Sequence, residues 1–88
     1  MNDISPGDTY AVHTGAYAGE LLICVGKEGK NYNFLATPTM ENRIIPRVIV
    51  EHGRNKGIIK FVEAVPDYVL QISKEQFKVN ENSNNRRE

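Results

Sequence analysis

The sequence predicts an all-β fold: a small, closed or nearly closed antiparallel β-barrel of five or six short strands with a short C-terminal helical turn. Alternating and β-branched apolar residues recur in short runs, and segments rich in Gly, Asn and Pro separate them. The chain has 88 residues, enough for one domain with a modest core. Closure of the sheet would remove the exposed edges that strands this apolar otherwise present.

The first three strands are predicted between residues 8 and 37. The run "DTYAVHT" (8–14) alternates apolar and polar residues, as a half-buried strand does. The continuous apolar run "ELLICVGK" (20–27) is typical of a central strand covered on both faces. The Gly and Asn of "KEGKN" (27–31) indicate a hairpin turn into "YNFLAT" (32–37).

The middle of the chain predicts a further hairpin. After a connecting loop at "PTMEN" (38–42), the run "RIIPRVIVEH" (43–52) has strand composition. Its Pro46 cannot donate to a ladder, so this strand starts late, bulges or lies at an edge. The segment "GRNKG" (53–57) predicts a hairpin loop into "IIKFVEAV" (58–65).

The segment 65–79 is compatible with either helix or strand. Pro66 suits the first position of a helix, where a backbone N–H would be unpaired in any case. The apolar residues that follow alternate instead of recurring every three or four positions, at Tyr68, Leu70 and Ile72. We therefore expect a helical turn at 66–68, a short strand near 69–73 and then another turn.

Composition divides the chain into one domain and a tail. Residues 1–79 contain all the apolar segments and form the predicted barrel domain. Residues 80–88, "NENSNNRRE", contain no apolar residue to bury and are predicted to be disordered.

The stretch "GDTYAVHTGAYAGE" (7–20) has a distinctive spacing of glycines and apolar residues. It is Gly7-Asp8-x-Tyr10-x-Val12-x-x-Gly15-x-x-x-Gly19. Within residues 7–25 this pattern resembles the KOW motif of SH3-like barrels. Two positions differ from the family pattern, since Leu22 stands where a further Gly is frequent and Tyr10 where Val is commoner.

The resemblance to the KOW motif implies an SH3-like barrel that extends to about residue 79. It also implies a class of partner, because KOW domains of elongation factors and ribosomal proteins contact RNA, the ribosome or RNA polymerase. The residues themselves indicate a hairpin, in which Gly15 and Gly19 allow the turn. A phosphate cradle is disfavoured because a strand-like run, and no helix N-terminus, follows the glycines.

Charge and cysteine content narrow the class of protein. Lys plus Arg and Asp plus Glu number eleven each, so no net field attracts nucleic acid or membrane. Residues 27–60 nevertheless carry seven basic and three acidic side chains. A single cysteine favours a reducing compartment, and "MNDISPGD" lacks the features of a signal peptide. The longest apolar run, "LLICV", is too short to span a bilayer, so the sequence predicts a soluble cytoplasmic protein without membrane contact.

Catalysis and metal binding are not predicted. Cys24 lies inside "LLICV", where a buried thiol acts as a small hydrophobic group. His13 and His52 share no ligand spacing with it that is typical of zinc. We therefore expect a protein that is not an enzyme and has no metal or other cofactor.

A basic surface is the first candidate binding site. Its positively charged side chains follow one another in the middle of the chain, at Arg43, Arg47, Arg54, Lys56 and Lys60. They could contact phosphates, while Tyr17, together with Tyr32 or Phe34, could stack on bases. The alternative is that charged loops only keep the domain soluble and that these aromatic residues belong to the core.

An apolar surface is the second candidate. The stretch "PTMENRIIP" contains Met40 and Ile44. These side chains either form a patch for a partner or for self-association, or they plug one end of the barrel.

The favoured hypothesis is a non-catalytic binding module, a small regulatory or accessory protein that contacts a protein partner through loops 15–19, 38–46 and 53–57. The alternatives are a KOW-type protein that binds RNA, DNA, the ribosome or RNA polymerase, and a phage or mobile-element inhibitor of a host factor.

Overall fold

The structure is a computed structural model that describes residues 4–85, with the side chains of residues 83–85 excepted. It contains five strands and two helices. In chain order these are β1 (Asp8–Val12), β2 (Leu21–Glu28), β3 (Asn31–Thr37), β4 (Glu41–Pro46), α1 (Arg47–Lys56), β5 (Ile59–Ala64) and α2 (Asp67–Asn85).

The strands form one antiparallel sheet in the order β4-β3-β2-β1-β5. The predicted mainly β, antiparallel architecture is thereby confirmed. Within residues 4–85 no ladder joins β4 to β5, so the expected closure into a barrel is not seen.

Helix α1 occupies the region between the two edges of the sheet, where it contacts β3, β4 and β5. It buries Val50 and Gly53. A Cβ placed on Gly53 would lie 3.5 Å from Cγ1 of Ile59, so the helix backbone runs close to β5. A larger side chain at position 53 would push the helix and the strand apart.

The strand predicted at 43–52 is found only as far as Pro46, and the hairpin loop predicted at 53–57 is wrong. This residue ends β4 and directly precedes α1, because a proline cannot donate to a ladder but fits the start of a helix. The predicted hairpin loop is instead the last turn of α1. Gly57, at φ 75°, ends the helix with its N–H directed at the carbonyls of Arg54 and Gly53.

The main core lies on the face of the sheet that α1 covers. Inward-facing residues of the strands alternate with outward-facing ones, so Tyr10 and Val12 of β1 and Leu22 and Cys24 of β2 share this face. The rest of this cluster is Ile4, Tyr32, Phe34, Ala36, Val50 and Ile59.

Helix α2 covers the opposite face and contacts β2, β3 and β4. It replaces the strand expected at 69–73 and extends the short helical turn expected there. Ser73 and Phe77 are buried at helical spacing, whereas Tyr68 and Ile72 belong to the exposed side and produce the apparent alternation. Ser73 lies inside the helix, where its hydroxyl donates to the carbonyl of Val69 at 2.8 Å.

Side-chain amides attach α2 to the turn between β3 and β4. Asn42 Nδ2 donates to the carbonyl of Phe77 at 3.1 Å. Asn80 Nδ2 donates to the carbonyl of Met40 and to Oδ1 of Asn42, both at 2.8 Å. Helix α2 continues to Asn85 and so includes residues 80–85 of the segment predicted to be disordered. The rest of that segment, residues 86–88, lies outside the described residues.

Neither helix of the described part of the chain combines the length and the apolar composition that a membrane crossing requires.

Replacing Asn80 by Ala should lower the free energy of unfolding by about 1 kcal/mol, because two hydrogen bonds between α2 and the sheet are lost. Asn82→Ala, at an exposed position of the same helix, is the matched control and should be near neutral. Urea denaturation of both variants measures the difference. Equal stability of the two would show that the Asn80 contacts do not hold α2 in place.

Candidate functional site

A groove of about 650 Å³ opens between α1 and the loop 13–20, which joins β1 to β2. Its floor is the core face of the sheet, and its walls come from α1, the loop and the chain before β5. Most of the lining is apolar and includes Val12, Leu22, Phe34, Ile45, Ile49, Ile58 and Ile59. A concave site of this size, apolar with a few polar groups, has the composition of a ligand-binding pocket.

The loop 13–20 is folded so that it forms one side of the groove. The N–H of Gly19 donates to the carbonyl of Val12, and the N–H of Val12 donates to the carbonyl of Glu20, both at 2.9 Å. Gly15 and Gly19 have φ values of 93° and 96°, which strongly favour glycine. The loop brings Tyr17 and Glu20 to the groove.

Arg43 organises a polar end of the groove. Its Nη2 donates to Glu20 Oε2 and its Nη1 to Glu41 Oε1, each at 2.9 Å. The guanidinium carbon lies 4.4 Å from the centroid of the Tyr17 ring, within cation–π distance. Hydrogen bonding to Glu20 is the main cause that raises the pKa of Arg43, so this side chain is a permanent cation.

Two atoms of this polar end are buried without a hydrogen-bond partner among the described residues: Glu20 Oε1 and Arg43 Nε. The side chains of Glu20 and Arg43 are only 12% and 17% exposed. A buried polar atom without a hydrogen-bond partner costs about 1–3 kcal/mol of stability. Both atoms are buried, so neither is presented to the groove in this structure.

The rim of the groove exposes apolar surface. Tyr17 on the loop and Ile49 on α1 line the groove and are 54% and 56% exposed. Val48, the neighbour of Ile49 on α1, is 70% exposed. Apolar groups that surround the mouth of a concave site are typical of a protein-binding surface.

The predicted binding residues Tyr17 and Arg43 are in contact at the groove. Ile44 lines another part of the groove, whereas Met40 does not line it. Met40 lies in the turn between β3 and β4 and is 39% exposed. Ile44 is 51% exposed and forms part of the groove wall, but its pairing opposite Asn33 directs its side chain to the α2 face. Both are therefore exposed to solvent and do not plug a barrel.

The other predicted basic residues lie away from the polar end. The guanidinium groups of Arg47 and Arg54 lie 5.8 and 5.7 Å from the ring centroids of Tyr32 and Tyr10. Lys56 and Lys60 are exposed at the end of α1 and on β5.

Stacking of bases on Tyr32 or Phe34 is excluded by their burial, since these residues are 1% and 0% exposed. Of the three aromatic residues proposed for stacking, only Tyr17 reaches the surface.

Cys24 is fully buried, and burial raises the pKa of its thiol to about 11. His13 and His52, the residues considered as its partners, are both exposed. Within residues 4–85 no group of three or more His, Cys, Asp or Glu side chains is arranged to hold a metal ion.

No protein-family model matches the chain, and no curated protein or solved structure is significantly similar to it. The resemblance of residues 7–25 to the KOW motif thus gains no support from a relative and is not contradicted by one.

Sequence reasoning missed Glu20 and Ile49. Glu20 is not among the predicted binding residues, and nothing in the sequence pairs it with Arg43, 23 positions away. Ile49 was assigned to a strand. Pro46 before the helix and Gly57 after it are a signal that could have identified α1, and with it the exposure of Ile49.

The thiol of Cys24 should react with a disulfide reagent at pH 8 at least about 100-fold more slowly in the folded protein than in denaturant. A pKa raised by two units lowers the thiolate fraction by that factor, and burial slows access further. Absorbance of the released thiolate measures both rates. Rapid reaction of the folded protein would reopen the case for Cys24 as a nucleophile.

Proposed function

We propose that this protein is a non-catalytic binding module that holds a segment of a protein partner in the groove between α1 and the loop 13–20. The observation that carries the proposal is the groove itself: about 650 Å³, mainly apolar, and bordered by exposed Tyr17 and Ile49. Burial of these two side chains against a partner would contribute to affinity in proportion to the apolar area removed from water.

The architecture supports a binding module with a rigid scaffold. The meander β1–β4 with β5 returning beside β1 is compatible with the SH3-like fold that the KOW-like motif predicts. In this proposal α1 takes the place of direct pairing between β4 and β5, and the groove is the part of the interior that α1 leaves accessible. Such folds host many functions, so the function rests on the groove and not on the fold.

A protein partner is favoured over nucleic acid by the chemistry of the groove. Its lining is apolar, and the polar end contains two carboxylates, Glu20 and Glu41, against the single cation Arg43. Carboxylates repel phosphates, and base stacking has only Tyr17 available among the predicted aromatic residues.

Ile49→Asp should abolish capture of the partner from a nuclease-treated native lysate, because a carboxylate at the rim would have to be desolvated on binding. Val79→Asp is the matched control: this residue is 54% exposed on α2, away from the groove, and its substitution should leave capture unchanged. Quantitative mass spectrometry of the bound fraction measures both, and circular dichroism checks that each variant is folded.

Met40→Asp separates the groove from the apolar surface predicted from the sequence, since Met40 is 39% exposed in the turn between β3 and β4 and does not line the groove. Loss of capture with Met40→Asp but not with Ile49→Asp would transfer the binding site to that turn. Capture that disappears after nuclease treatment would instead support the nucleic-acid alternative.

A further inference from the structure

Strand β5 forms one edge of the sheet and carries a self-complementary set of side chains. We propose that two copies of this chain associate through it, with their β5 strands antiparallel and a two-fold axis next to Phe61. The sheet then continues from one molecule into the other. The proposal concerns the outer edge of β5 and does not depend on what the groove binds.

The outer edge of β5 is uncovered. Within residues 4–85 the strand pairs with β1 alone, and only its first residue, Ile59, is buried. Residues 60–64 are all exposed, although alternate residues of a strand face opposite sides of the sheet. The adjacent apolar residues Phe61 and Val62 are 56% and 50% exposed. An exposed apolar edge of this kind is a template for pairing with another strand.

The backbone N–H and C=O groups of Phe61 point away from β1. The N–H of His13 donates to the carbonyl of Ile58 at 2.8 Å, so the backbone of Ile58 faces β1. The direction of hydrogen bonding alternates along an antiparallel strand, so the backbone of Lys60 faces β1 and that of Phe61 faces outward. A two-fold axis next to Phe61 therefore lets its N–H donate to the Phe61 carbonyl of the second copy, and symmetry supplies the reverse bond.

A bulge places the two charged residues of β5 on one face of the sheet. Lys60 pairs opposite Ala11, and Glu63 pairs opposite Thr9. Opposite residues of an antiparallel pair share a face, and residues 9 and 11 of β1 lie on the same face. Lys60 and Glu63 therefore share that face, although a regular strand would place residues three positions apart on opposite faces. The cause is a register shift that makes Val62 an extra residue in β5.

The charges and the aromatic rings of two such copies match. A two-fold axis perpendicular to the sheet keeps each side chain on its own face. Lys60 therefore meets Glu63 of the second copy on one face, and Phe61 meets Phe61 of the second copy on the other. Within residues 4–85 neither Lys60 nor Glu63 forms a salt bridge. The Phe61 ring contacts Tyr10 at a centroid distance of 5.7 Å, and a second Phe61 would cover part of its exposed surface.

The same charged residues favour a second copy of this chain over other strands. Charged side chains on an edge strand disfavour pairing with most strands, because their charges find no partner. A second β5 in this register supplies the opposite charge to both Lys60 and Glu63, and symmetry forms each ion pair twice. Charge complementarity thus selects a second copy as the occupant of this edge.

Two charge reversals test the arrangement by sedimentation equilibrium. The unmodified chain should dimerise with a Kd of about 10–100 μM, because one pair of short strands buries less area than a standard interface. Lys60→Glu and Glu63→Lys should each weaken the dimer at least about tenfold, since both symmetry-related pairs become repulsive. An equimolar mixture of the two variants should dimerise about as tightly as the unmodified chain, because one variant supplies two carboxylates and the other two ammonium groups.

Matched controls carry the same charge changes on α2. Glu75→Lys and Lys78→Glu lie at exposed positions and should leave the Kd within about twofold of that of the unmodified chain. Circular dichroism checks that every variant is folded. All four substitutions are at exposed positions, so loss of the dimer can be separated from loss of the fold.

Amide hydrogen exchange locates the contact. Exchange at the N–H of Phe61 should slow about fourfold between about 20 μM and about 1 mM protein, because the dimer hydrogen-bonds this group and the monomer exposes it. The Lys60→Glu variant alone should show less than about half of this slowing.

A chain that stays monomeric at about 1 mM would overturn the proposal. Assembly that continues beyond a dimer would also contradict it, because β5 would then pair with another edge such as β4. A dimer that the two charge reversals do not weaken, or a mixture of the variants that associates no better than each alone, would place the contact on a different surface.

Discussion

The contact between α1 and β5 is the constraint on which the rest of the structure depends. The helix lies between two strands that do not pair with each other, and at Gly53 its backbone packs so close to Ile59 that a Cβ would be in van der Waals contact with that side chain. On its other sides α1 buries Val50 in the core and presents Ile49 to the groove. One helix of ten residues thus contacts the edge strand β5, contributes to the main core and forms a wall of the groove.

The strands β1, β2 and β3 could be predicted from the sequence because the order of apolar and polar residues within each strand matches its pattern of burial. Helix α1 could not be, since Val48, Ile49 and Val50 are β-branched and favour a strand locally. Burial of Val50 against the sheet overrides this preference. Helix α2 was predicted only as a short helical turn for a different reason, because apolar residues on both of its sides hide the helical period.

In the candidate site, too, local sequence patterns do not predict which residues contact each other. Tyr17 and Arg43 were predicted as binding residues, one from its loop and one from its charge, but nothing in the sequence indicates their contact, which joins residues of different hairpins. Glu20 completes the cluster through a hydrogen bond across 23 positions. Local patterns indicate which residues reach the surface, whereas only the register of β2, β3 and β4 determines which of them meet.

Helix α1 is at once a wall of the groove and the element that spans the gap in the sheet, and this dual role limits how the protein can respond to a ligand. A groove that widened by moving α1 would also expose Val50 and separate the helix from β5. The energetic cost of opening is therefore a part of the folding free energy itself. A ligand that occupied the groove without moving α1 would raise the thermal stability of the whole domain.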